Sequence, residues 1–274
     1  MARFHLFEFH DSPHCPRLWR DSLTAFLRTT IDQLKIYDVI APRLAALVAR
    51  SETHRIVDLC SGGGGPWIRL SALLAELTDG PLHVSLTDKQ PNREAFERAH
   101  EASEGRIDFV EAPVDATRVP GHLDRVRTLF TSFHHFRPNA AREILQDAVN
   151  NRVPIGIFEF TDRTVLSFLA MLFSPLLALV VVPFLRPFSW RRLFSCLPLP
   201  LLPLVIAWDG FVSNLRTYTV AELDALVADV EGTDYVWESG KIDQGPIVPP
   251  VTYLIGWPAD HDRPRLEPNA SPDG

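Results

Sequence analysis

The chain has 274 residues, 46% of them hydrophobic and 22% charged, with a formal net charge of −7 at pH 7. That length suits one large domain with an insertion, and the acidic balance excludes nucleic acid as substrate, because neutralising phosphates takes clustered Lys and Arg. Cys15, Cys60 and Cys196 form no CxxC pair and no metal-ligand spacing, so a reduced, cytoplasmic compartment is expected and a bound metal is not.

The opening MARFHLFEFHD carries acid and histidine but no apolar signal core, so export is not expected. An N-terminal arm (residues 1–50) follows the pattern of an amphipathic helix from Leu18 to about Tyr37, with Leu23, Phe26, Leu27, Ile31 and Leu34 at 3–4 spacing, and a second helix fits Ala41 to Ala49. Strands and helices then alternate. Ile56 to Leu59 reads as a buried strand, with helices over Pro66 to Leu77, Asn92 to Glu101 and Ala140 to Asn150. Further strands fit His83 to Lys89, Ile107 to Asp115, Arg127 to Phe136 and Pro154 to Phe160. An apolar segment interrupts the alternation at residues 163–218. Thr219 and Glu222 then form a capping box for a helix to about Val230. Two last strands, Asp234 to Asp243 and Pro250 to Trp257, complete the core (51–162 and 219–259). The Pro- and Asp-rich tail, 260–274, is expected to fray.

The densest signal is Asp58-Leu-Cys60-Ser61-Gly62-Gly63-Gly64-Gly65-Pro66. A buried strand that stops at glycines lets backbone approach a ligand where a Cβ would collide, and in doubly wound α/β folds a nucleotide-like cofactor sits at that turn. A dinucleotide fingerprint, G-x-G-x-x-G, started at Gly62 puts its third glycine on Trp67, and started at Gly63 on Ile68. A phosphate loop would need Gly-Lys-Ser/Thr where Pro66 and Trp67 stand. Both classes are disfavoured.

The stretch resembles the acid-x-Gly-x-Gly-x-Gly motif of class I S-adenosylmethionine-dependent methyltransferases, with Asp58 as the acid and Cys60, Gly62 and Gly64 at the glycine positions; Cys60 departs from the pattern. LTDKQPN, EAFERA, SFHHFRP, WDG-x-VS-x-LRTYT and VTYLIG are similar to a bacterial subgroup of that family whose substrate is unassigned. The resemblance implies an α/β, Rossmann-like, seven-stranded, mostly parallel sheet with an antiparallel last strand, S-adenosylmethionine as cofactor, and an arm lying over the cofactor mouth. Asp88, beside Lys89 at the tip of the second strand, suits the ribose hydroxyls. Asp115-Ala116 would meet the adenine amino group, and the fourth strand would open into the pocket at Thr131, Ser132 and Phe133. Glu8, His10, Asp11, Arg20 and Tyr37 are candidates to face the acceptor.

Methyl transfer from a sulfonium depends mainly on alignment and desolvation. Where the acceptor must lose a proton, His134 and His135 are the candidate bases. Adjacent residues point opposite ways, so one of the two should face the pocket. Glu159, ending the fifth strand, would orient an acceptor, and Asp209 would pair with Arg216. Val165 to Leu185 holds no charged residue and at about 21 residues reaches the length of a membrane span. Leu193 to Trp208 is shorter and broken by Pro198, Pro200 and Pro203. A two-pass hairpin would drag Arg186, Arg191 and Arg192 across the bilayer at ~2.5 kcal/mol or more each, which disfavours a span. Two readings stay open: an apolar lid over the mouth, or a membrane-surface element at the inner face of the membrane. The expected function is methyl transfer to a small, hydrophobic acceptor. The alternative is a non-catalytic cofactor-binding protein that uses the insertion for membrane or partner contact.

Overall fold

The computed structural model describes residues 2–259 except 13, 52–53, 79, 124, 186–187, 198–199 and 246–247; the expected fraying of 260–274 lies outside the described residues. Strands β1 (Arg55–Leu59), β2 (His83–Leu86), β3 (Ile107–Phe109), β4 (Val126–Phe130) and β5 (Ile155–Glu159) are parallel. A hairpin, β6 (Tyr235–Ile242) and β7 (Val251–Pro258), closes the sheet with β7 antiparallel to β5. The order is β3-β2-β1-β4-β5-β7-β6, which is the expected Rossmann-like sheet. Chain direction across the sheet reverses between β1 and β4, so the crevice for a ligand opens at their carboxyl ends.

Alternation along the strands divides the core between two faces. Ile56, Val84, Val126 and Phe158 pack under α2 (Ala41–Ala49), α3 (Trp67–Leu77) and α4 (Arg93–Ala102). Val57, Leu59, Leu129, Ile155 and Ile157 pack under α5 (Pro138–Asn150) and α9 (Val220–Ala228). Asn92 caps α4 by accepting from the Ala95 amide, and the Thr219–Glu222 capping box starts α9 as expected.

Three elements are shorter than the periodicity suggests. Helix α1 spans Arg17–Leu34 and stops because Lys35 turns left-handed at φ 53°. Strand β3 ends at Phe109, ahead of Pro113, which has no amide to give a ladder. Strand β4 ends at Phe130; Thr131 sits at φ 46°, and Phe133–His135 curls into a 3-10 turn instead of continuing as strand. The apolar run therefore misled: a left-handed residue breaks an extended chain however hydrophobic its neighbours are.

After β5 the insertion forms α6 (Val165–Val181), continued by a 3-10 turn to Phe184, then α7 (Trp190–Cys196) and α8 (Leu201–Arg216). A Cβ at Gly210 of α8 would stand 2.6 Å from the sulfur of Met171 on α6, so glycine sets the close approach of these two helices. Ala178, Val182, Leu185, Cys196, Leu202 and Ile206 form a small core with Phe26 of α1, flanked by Trp19, Leu23 and Ala25.

Candidate active site

The glycine corner lies between β1 and α3. Gly62 and Gly64 have φ of 52° and 98°, and Cys60, at φ 59°, adopts the left-handed conformation that glycine takes at no cost. A Cβ on Gly63 would come within 3.2 Å of Thr24, so α1 lies directly on the corner. Asp58 does not face outward. It is fully buried, taking Ser61 Oγ at 2.6 Å on one oxygen and Thr128 Oγ1 at 2.7 Å on the other. Burial raises its pKa to about 7 against those hydrogen bonds. Asp58, the acid of the motif, braces the corner from behind and does not line the cavity.

Asp88 stands at the tip of β2. Its Oδ2 accepts the Gly62 amide at 2.9 Å and its Oδ1 the Gln90 amide at 2.8 Å. Gly62, Asp88, Lys89 and Gln90 line one wall of a cavity of about 730 Å³, and His10, Asp11, Arg20 and Thr24 of the arm line the other. Asp115, expected at adenine, is held instead by Lys89 Nζ at 2.9 Å and by Thr117; the Lys89 bond leads in lowering its pKa to about 2. Ala116 is buried in the core.

Thr131 shares its hydroxyl with Tyr37 Oη at 2.5 Å, and Tyr37 also donates to the Phe158 carbonyl. Tyr37 is thereby a buried strut under the strand ends, not an acceptor contact. Phe133 is fully buried against Tyr218, so it does not open into the pocket. Ser132 Oγ is buried with no partner.

Glu159 corrects another expectation. Its Oε1 accepts the amides of Phe133 and His134 at 2.7 and 3.2 Å. Its Oε2 accepts His134 Nδ1 at 2.8 Å and Thr161 Oγ1 at 3.2 Å. Four donors saturate the carboxylate, and although burial pushes its pKa up, His134 outweighs that and holds it low. Glu159 therefore positions the 133–135 turn and cannot also orient an acceptor. The neutral tautomer that donates Nδ1–H to Glu159 has its lone pair on Nε2, which is buried and has no protein partner among the described residues.

His135 faces the arm. Its Nδ1 lies 2.9 Å from Asp11 and 3.5 Å from Glu8. Burial acts to lower its pKa, but Glu8 and Asp11 prevail and raise it to about 9. A histidine already protonated at neutral pH is no base. The Arg216 guanidinium completes this cluster, at 3.3 Å from Glu8 and 2.5 Å from Asp11, and it also donates to the Leu6 carbonyl. Asp209 does not pair with Arg216. It accepts the backbone amides of Phe9 and His10 at 2.8 and 3.0 Å, and burial raises its pKa to about 6. Arg3 ties the arm to the turn through the carbonyls of His134 and Phe136. Among the described residues, Glu8, His134 and His135 bring one ligand atom each within 4.8 Å of one another. Arg216 and protonated His135 already balance the carboxylates there, so a further cation would meet two positive charges.

Arg3 has no candidate role from sequence alone, and Arg216 has only the pairing with Asp209 that the structure replaces. Their partners lie up to 213 positions away, and the only local hint is an arginine following the apolar stretch in LRTYT.

No protein-family model matches the chain, and no curated protein matches it. Among solved structures, a candidate O-methyltransferase from Nostoc punctiforme superposes with a TM-score of 0.51 at 13% identity, over 93% of this chain and 64% of that one. An O-methyltransferase family protein from Burkholderia thailandensis gives 0.48 at 16% identity, over 86% and 60%. Mitomycin 7-O-methyltransferase gives 0.46 at 16%, over 92% and 70%. The chain thus spans about two thirds of the length of these structures. The likeness shows a shared Rossmann-like fold.

Proposed function

We propose that the protein transfers a methyl group from S-adenosylmethionine to a small, apolar acceptor bearing an ionisable hydrogen, with His134 as the group that takes the proton. The observation that carries this reading is that a glycine corner after β1 and an oriented imidazole nitrogen, without a protein partner among the described residues, follow the carboxyl ends of the neighbouring strands β1 and β4. The corner suits the cofactor on its own chemistry. Glycines at positive φ leave no Cβ in the way, and Asp88 keeps lone pairs beyond the two backbone amides it accepts, to receive ribose hydroxyls. Bound there, the cofactor would supply an activated methyl group.

The remaining work falls to the chain itself. Glu159 fixes the His134 tautomer and ring plane, as a third group orients the base in other proton-transfer sites. The arm, clamped by Asp209 and Arg216, forms the wall of the cavity opposite the glycine corner. His10, whose pKa burial lowers to about 4, presents a neutral ring to that space.

Calorimetry with S-adenosylmethionine tests the cofactor assignment; absence of binding overturns it. Labelled methyl groups appearing in an apolar metabolite extract support the transfer. Binding with no labelled product in any extract would favour the non-catalytic reading.

A further inference from the structure

Helix α1 is used on both sides. Arg17, Arg20, Asp21 and Thr24 face the cavity, while Trp19, Leu23, Ala25 and Phe26 pack on the α6–α8 insertion. Arg192, counted by sequence among charges that would have to cross a bilayer, turns inward: it donates to Ser22 Oγ of α1 at 3.1 Å and to the Leu185 carbonyl at 2.8 Å. The far end of the insertion is thus tied down along α1.

The other side of α6 has no cover among the described residues. Leu169, Leu172, Phe173, Leu176, Val180 and Phe184 recur at three- and four-residue spacing, and their exposure runs from 48% at Leu169 to 78% at Phe184. The most apolar 18-residue window of Val165–Phe184 has a mean hydropathy of 2.6, yet only 17% of that window is buried. A core helix of the same composition would be mostly covered. Soluble monomers seldom leave so long an apolar face open.

We infer that this face seats in one leaflet of a lipid bilayer, with α6 lying parallel to the surface. Three observations favour lipid over a protein partner. Protein interfaces mix apolar with polar area and carry a polar rim, whereas this face carries Leu, Val, Phe and Ala and no charged side chain. At its end, exposed Trp190 and Arg191 on α7 are the residue types that settle at the headgroup level. The net charge of −7 gives a general anion-seeking surface no support, so attachment is apolar in origin. Tethering to α1 rules out a span, because α6 could not cross the bilayer without breaking the core around Phe26 and the Arg192 bonds. A helix so placed buries its apolar side roughly 5–10 Å into the headgroup–acyl boundary. The inference does not depend on methyl transfer.

Flotation of the full chain with vesicles of phosphatidylcholine, alone or with phosphatidylglycerol, tests it. The protein is expected to float with both compositions and to stay bound at high salt. The triple variant Leu172→Glu, Phe173→Glu, Leu176→Glu should remain at the bottom with an unchanged circular dichroism spectrum. Should the triple variant misfold, Leu172→Gln with Leu176→Gln should lower the floated fraction at least tenfold while keeping the fold. Wild-type protein that never floats overturns the inference, as does flotation that high salt abolishes. A dimer seen by light scattering, dissolved by the same substitutions and unaccompanied by flotation, assigns the face to a second copy and overturns it too.

Discussion

The turn at Phe133–His135 and the outer face of α6 are opposites. At the turn, side chains from the arm, β5, α8 and the turn itself converge, and nearly every buried donor meets an acceptor: Glu159 alone takes four. On α6 a run of leucines, valines and phenylalanines meets nothing. Buried polar groups are expensive unless paired, so the turn holds its geometry at the expense of tolerance, and the atoms left over there among the described residues, Ser132 Oγ and His134 Nε2, stand out. The α6 face has no such constraint and tolerates change in the folded protein while remaining exposed to whatever apolar phase it meets. The proposed chemistry belongs to the first region and the inferred contact to the second.

The sharpest way to break that contrast is at the leftover nitrogen. His134→Asn keeps a donor for Glu159 and removes Nε2. Methyl transfer should fall ~10²–10⁴-fold, the usual contribution of a positioned base, with cofactor affinity unchanged by calorimetry. Transfer at the wild-type rate would move His134 from the chemistry to the scaffold.

Arg216→Met comes next. It strands buried Glu8 and takes a partner from half-exposed Asp11, and removing one member of a buried charge network costs about 3–5 kcal/mol. Urea unfolding should register that loss. A loss under 1 kcal/mol would mean that the arm is held by Asp209 and its backbone bonds instead.

Asp88→Ala touches the edge of the polar region. The Gly62 amide loses its acceptor, and cofactor affinity should weaken by ~1–3 kcal/mol, the penalty for unmet polar groups. Equal affinity in titrations of the two proteins would remove Asp88 from the ribose site.

Proton linkage offers a gentler probe. The folded pKa of His135 is raised to about 9, above the unfolded value near 6.5. Its stabilising contribution is complete below 6.5 and is lost as pH rises toward 9. Asp58 and Asp209, raised to about 7 and about 6, also make stability fall with rising pH, but their windows close by about 7. Between pH 7 and 9 the slope therefore belongs to His135, at most about 1.4 kcal/mol per pH unit. In denaturant titrations His135→Gln should flatten it. A slope unchanged by the substitution would show that His135 is neutral when folded.

How far these regions could be read from sequence follows from the range of their contacts. The glycine corner and the capping box are local: residues a few positions apart make them, and their composition shows it. Asp58 was visible as an acid but not as an inward brace, since its partner Thr128 lies 70 positions away. The clamp on the arm was hidden altogether. Asp209 meets the Phe9 amide across 200 positions, and nothing in either segment names the other. The uncharged run of α6 was plain, whereas the inward turn of Arg192 toward Ser22, which decides between a span and a surface, was not.

The smallest effect is expected on α6. Leu172 is 69% exposed, so Leu172→Ser removes little buried area and introduces a hydroxyl that water can satisfy. Substitutions at such sites change stability by about 0.5 kcal/mol or less, and thermal unfolding in buffer should show no clear shift. The comparison gains from the null result: the same leucine on a core helix would cost ~2 kcal/mol or more on truncation. A shift of that size would mean that Leu172 is covered in solution, by a second chain or by a part of this one. Wild-type stability in buffer, together with weakened vesicle binding, would place the role of this side chain outside the folded core and at the apolar phase it contacts.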